Sequence, residues 1–162
     1  MDIVDQILER IPSLKPFYEE WMEYLLDDDV TLPSQINLGT KFGNLGIAFK
    51  TYADESCFNP NHLKLALDMV EDFVRDADEE TQGMVEVRFL EAFWWWATDK
   101  EDEASEKYGD YFFECLGPTC LRLVKENKAF WDKLNRERQQ EIDEKYAEMQ
   151  RDYDERKRLG KD

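Results

Sequence analysis

A chain of 162 residues with 42% hydrophobic and 14% aromatic side chains can bury one core, which excludes global disorder. Its 38 acidic residues against 21 basic ones give a formal net charge of −17, which disfavours nucleic-acid backbones and anionic membranes as partners. One histidine, three cysteines and no Cys-x-x-Cys pair exclude a zinc site of ordinary spacing.

Residues 1–130 carry 28 acids and 12 bases, whereas residues 131–162 carry 10 and 9. The expected organisation is therefore an acidic helical domain over 1–130, followed by a charged C-terminal helix over 131–162, docked at its start. Met1-Asp2-Ile3-Val4-Asp5 lacks the basic and apolar runs of a signal peptide. No apolar stretch approaches the roughly 20 residues of a membrane helix, so the cytoplasm is the expected compartment. Cys57, Cys115 and Cys120 are expected to be buried free thiols in a reducing environment.

Ile3, Val4, Ile7, Leu8 and Ile11 recur with helical period and predict a short first helix ended near Pro12. A second helix, capped by Ser13, runs to about Leu26 and presents the apolar residues Leu14, Phe17, Trp21, Tyr24 and Leu25. Asp27-Asp28-Asp29 then reads as an exposed loop, because acids are unfavourable at a helix C-terminus. A third helix is predicted over 35–53, with Ser34 as its cap. It contains Gly39, Gly43 and Gly46, each costing about 1 kcal/mol against alanine. Together they form a side-chain-free face that a neighbouring helix can approach.

Asn59-Pro60 opens a fourth helix through Val74, with proline at the first helical position. The acidic turn Asp76–Thr81 leads into a helix over 79–98. A second acidic stretch, Asp99 to Glu106, precedes a helical face of Tyr108, Tyr111, Phe112, Cys115 and Leu116, closed by Gly117-Pro118. Thr119 starts a further helix. From Asn127 the charges alternate in sign, with Glu137–Glu141 repulsive and Glu141–Lys145 attractive. Ile142, Tyr146, Met149 and Tyr153 step by four, three and four, which is coiled-coil spacing over two heptads. No segment alternates β-branched residues over a strand length. The predicted fold is all-α: an antiparallel helical bundle, or a short array of helical hairpins, ending in the long charged helix.

The sequence holds no nucleophile, zinc-protease or P-loop motif. His62, at a helix start, reads as structural. Glu86, Glu91, Asp68 and Asp72 lie on helices where facing carboxylates can hold metals, but the usual Glu-x-x-His partner is missing. Asp27–Asp29 and Asp99–Glu103 lack the alternating oxygens and central glycine of a calcium loop. No cofactor, metal or catalytic residue is expected.

Trp94-Trp95-Trp96 is the most unusual feature. Successive helical residues lie about 100° apart, so three rings sweep roughly 200° of the helix. Either neighbours enclose this helix, or one ring reaches the surface, where a tryptophan beside acidic loops suits a protein-binding hot spot. The candidate partner-binding residues are Trp95 with the three acidic loops: Asp27, Asp28 and Asp29; Asp76, Asp78, Glu79 and Glu80; Asp99, Glu101, Asp102 and Glu103. In an up-and-down array several such loops fall at one end and are expected to merge into one negative surface.

Glu79-Glu80 followed by Val85-Glu86-Val87-Arg88-Phe89-Leu90-Glu91, then Leu116-Gly117-Pro118, together with Phe17-Tyr18-Glu19-Glu20-Trp21, resembles small acidic bacterial proteins of immunity-like type. The resemblance spans residues 15–131. It implies a non-enzymatic antidote of a polymorphic or contact-dependent toxin. The expected function is an immunity or inhibitor protein that binds a basic partner, such as a toxin nuclease domain, and occludes its cleft. Two alternatives stand beside it: an adaptor self-associating through its C-terminal helix, and a helical enzyme with a carboxylate-bound metal.

Overall fold

The computed structural model describes residues 1–27 and 36–160. They form α1 (Ile3–Arg10), a 3-10 turn (Pro12–Leu14), α2 (Lys15–Asp27), α3 (Leu38–Ala53), α4 (Pro60–Arg75), α5 (Glu79–Val85), a π-helical segment (Glu86–Leu90), α6 (Glu91–Ala97), α7 (Glu103–Cys115) and α8 (Pro118–Arg158). No strand occurs among the described residues, so the all-α prediction holds.

The chain divides into two units, Met1–Asn127 and Lys128–Asp162. In the first, most helices start on a side-chain cap. Asp2 accepts from the Asp5 backbone and Asp5 returns the bond, a reciprocal capping box. Asn37, Asn59, Asp78 and Asp102 accept from the backbones of Thr40, Asn61, Thr81 and Ser105. Asn37 thus takes the role expected of Ser34, which lies outside the described residues. The α3 helix accordingly starts three residues later than predicted.

Helix directions follow from which residues meet. Phe17 lies against Tyr52 and Met22 against Asn44, so α2 runs antiparallel to α3. Phe42 meets Phe73 and Tyr52 meets His62, so α4 runs back along α3. Along α3, the alpha carbons of Gly39, Gly43 and Gly46 face Met84, Arg88, Phe89 and Ala92 in that order, which makes α5 and α6 parallel to α3. The glycine face therefore admits a neighbouring helix, as expected. Lys41 bonds Asp2 at 2.7 Å and Asp5 at 3.0 Å, tying α1 to the start of α3.

The centre is aromatic. Phe93 stacks on Phe112 with centroids 5.4 Å apart and meets Phe49 and Phe89 edge-on. Each such pair adds about 1 kcal/mol beyond simple burial. Val85, Phe89, Leu90, Phe93, Trp94 and Trp96 are buried, whereas Val87 is exposed. Two residues from both Val85 and Phe89, Val87 is turned about 200° away from their face. The π-helical turn around it was not legible as a distinct element in the hydrophobic pattern.

In the second unit the chain is helical through Arg158, and Ile142, Tyr146, Met149 and Tyr153 are all exposed. No helix among the described residues is long and apolar enough to cross a membrane.

Candidate functional site

Trp94 and Trp96 are buried and Trp95 is 46% exposed, so one ring of the three reaches the surface. Its position is built from beneath. Asn127, buried on α8, accepts the Trp94 indole N–H at 2.7 Å and donates to Glu91 at 2.9 Å. Trp95 stacks on the fixed Trp94 ring, with centroids 4.3 Å apart and planes inclined by 22°. An aromatic held this way gives up little conformational freedom when a partner covers its outer face.

Beside Trp95 lies a shallow, open depression of about 380 Å³, lined by Lys50, Asp54, Trp95, Trp96, Asp99 and Asp102. Asp54 also borders a second concavity of about 450 Å³, whose other charged residues are Glu55, Glu103 and Lys107. Five carboxylates and two ammonium groups thus share this end of the fold. Partial burial, then the nearby charges of Asp102, Glu55 and Glu103, push the Asp54 carboxyl above its ordinary pKa. Asp102 caps α7 through Ser105, and Asp99 accepts from the Glu101 backbone at 3.0 Å. These bonds fix the loop. Ser105 donates to the Trp96 carbonyl, tying α7 to α6. The buried Trp96 indole N–H has no acceptor among the described residues. It is a donor within a residue that lines the depression.

The four acidic positions predicted near Trp95 separate here. Asp99, Asp102 and Glu103 line the concavities; Glu101 lies on the same loop, outside their linings. The acidic turns of Asp76–Glu80 and Asp99–Glu103 do not merge into one surface. Asp76, Asp78, Glu79 and Glu80 lie at the α4–α5 turn, and the continuous helical run from α5 to α6 carries the chain about 27 Å before Asp99. The two acidic turns therefore cap opposite ends of the array. Asp78 there serves as the α5 cap. Asp27 is the last residue of α2 rather than a loop residue, and antiparallel packing places it toward the start of α3, away from Trp95. Asp28 and Asp29 lie outside the described residues.

Asp54 and Glu55 were missed by the sequence reading. Their signal was an acidic pair directly after an apolar helix and just before Asn59-Pro60, the same kind of turn as the loops that were noticed.

The remaining candidates have local roles. His62 Nδ1 meets the Tyr52 hydroxyl at 2.9 Å and Ser13 Oγ at 3.4 Å, linking three segments of the fold. Asp68 pairs with Lys64 and Asp72 with Arg75 on the surface. Glu86 has its carboxyl pushed up by burial, against a hydrogen bond from Asn127. Among the described residues no group of three or more His, Cys, Asp or Glu side chains is placed to hold a metal ion. Cys115 and Cys120 are buried as expected, but Cys57 is exposed because it lies in the α3–α4 loop.

The residues that carry the immunity-like resemblance divide between core and surface: Tyr18 and Val85 are buried, whereas Glu19, Glu20, Glu79, Glu80, Val87 and Arg88 are exposed. Phe89 and Leu90 are fully buried, Glu91 holds Asn127, and Gly117 lies against Glu71. Comparison with known proteins finds no family model, curated protein or solved structure that matches the chain.

Proposed function

We propose that this protein acts by binding rather than catalysis: it is an inhibitor of the immunity type that covers a basic surface on a cytoplasmic partner, such as a toxin nuclease domain. The observation that carries the proposal is Trp95, ordered by stacking and 46% exposed, at the edge of a depression bordered by Asp54, Asp99 and Asp102. The carboxylates steer an approaching lysine- or arginine-rich face and the tryptophan anchors it. Cationic groups entering here counter the burial and the neighbouring carboxylates that together raise the Asp54 pKa, so binding favours the ionised form of Asp54. Affinity is therefore expected to weaken as falling pH protonates Asp54, and to weaken with added salt.

The charge and the ring make separable contributions. Replacing Asp99, Asp102 and Glu103 together by lysine is expected to slow association about 10- to 100-fold at low salt with little change in the dissociation rate. Trp95→Ala is expected to speed dissociation, for a loss of about 2 kcal/mol. Stopped-flow mixing with the partner reads both rates. Unchanged association of the triple variant would remove this surface from the interface.

A further inference from the structure

We infer that the C-terminal helix is a parallel, two-stranded coiled-coil segment that joins two copies of this chain. Ile142, Tyr146, Met149 and Tyr153 are each more than half exposed and fall on one stripe of α8. Their spacing assigns Ile142 and Met149 to d positions and Tyr146 and Tyr153 to a positions of a heptad repeat. The flanks then decide what the stripe fits. In this register Arg138 and Asp152 occupy g positions, and Asp143 and Lys157 occupy e positions. In a parallel pair each g residue faces the e residue five positions later on the other helix. Arg138 meets Asp143 of the second copy, Asp152 meets Lys157, and Lys145 meets the neutral Gln150. Every flanking pair is attractive or neutral.

An antiparallel pair fits less well. It would bring Lys145 opposite Asp152 but set Arg136 against Lys157, a like-charge contact. The ends of the segment are defined by the same logic. Asp132 at an a position and Arg156 at a d position would each face their own copy, so the coil is confined between them. Asn135 and Gln139 supply polar layers at d and a, which fix register at some expense of affinity. So short a seam implies a reversible dimer, with a dissociation constant on the order of tens of micromolar.

Sedimentation equilibrium of the full chain tests this between about 5 and about 500 µM. The apparent mass is expected to rise from 19.4 kDa toward twice that value. Met149→Glu, at an exposed position, is expected to weaken the dimer at least tenfold while far-ultraviolet circular dichroism stays unchanged. R138E and D143R should each weaken it several-fold, and the double variant should recover it, because the swapped charges again attract across the pair. A monomer at every concentration would overturn the inference and leave the stripe to a different partner. A dimer indifferent to Met149→Glu would overturn it too, and failure of the double variant to recover would overturn the parallel register.

Discussion

Gly109→Ala is expected to destabilise the fold by about 2 kcal/mol, against the ordinary preference of helices for alanine. In α7 that preference alone would add about 1 kcal/mol of stability. A methyl at position 109, however, would collide with the carbonyl oxygen of Ala97 and lie 3.2 Å from its carbonyl carbon. Both belong to the α6 backbone, which cannot turn aside as a side chain does, so overpacking of about 3 kcal/mol outweighs the propensity gain. Gly83→Ala is the internal control: nothing lies within 4 Å of a Cβ built there, so it is expected to stabilise by about 0.5–1 kcal/mol. Urea unfolding of the two variants, with equal m-values, reads opposite shifts of midpoint. The contact matters for the surface as well, because α6, α7 and the loop between them carry Trp95, Asp99, Asp102 and Glu103. A Gly109→Ala protein as stable as the wild type would show that α6 and α7 do not approach this closely.

The second large effect is expected at Glu71, a glutamate only 4% exposed. Its carboxylate accepts the backbone N–H groups of Thr119 at 3.0 Å and Cys120 at 2.8 Å, so a side chain of α4 caps the first turn of α8. Burial by itself would raise its pKa. The hydrogen bonds from Cys120 and Thr119 outweigh that and hold it below its ordinary value. Glu71→Ala leaves two donors without an acceptor and is expected to lose about 3 kcal/mol at neutral pH. Glu71→Gln keeps one acceptor oxygen and is expected to lose about half as much.

The pH dependence follows from the depressed pKa. The contribution is fully present above the unfolded-chain value of about 4.3 and is lost as pH falls through the lower, folded value. Wild-type and Glu71→Ala stabilities should therefore converge in acid, and a pH-independent gap between them would contradict the capping role. Gly117→Ala offers a second route, since its methyl would overlap the Glu71 side chain and displace the carboxylate.

Most of the helices were legible because their apolar positions recur with a 3.6-residue period and their ends carry local markers. Asn59-Pro60 and Gly117-Pro118 placed boundaries well, since caps and prolines act within one turn. The π-helical turn at Glu86–Leu90 was not legible, because one wide turn hardly alters the surrounding periodicity. Glu71 was equally silent: its partner lies 48 residues away, and nothing near it in sequence distinguishes it from a surface glutamate. At the candidate site, Trp95 was legible as one of three rings that cannot all share a buried face. Which acidic turns accompany it depends on helix direction. Asp54 and Glu55 join Asp99, Asp102 and Glu103 because α3 and α6 both end there, a long-range fact that no local pattern carries.

The central claim, that the surface around Trp95 binds a basic protein, is tested most directly by paired affinity capture from the source cells. One bait is the wild-type chain and the other carries Trp95→Ala with Asp99, Asp102 and Glu103 changed to lysine. The account predicts that a protein with a net positive charge is enriched on the wild-type bait at low salt, released at high salt, and absent from the variant bait. Identical capture by both baits, or capture insensitive to salt, would contradict it.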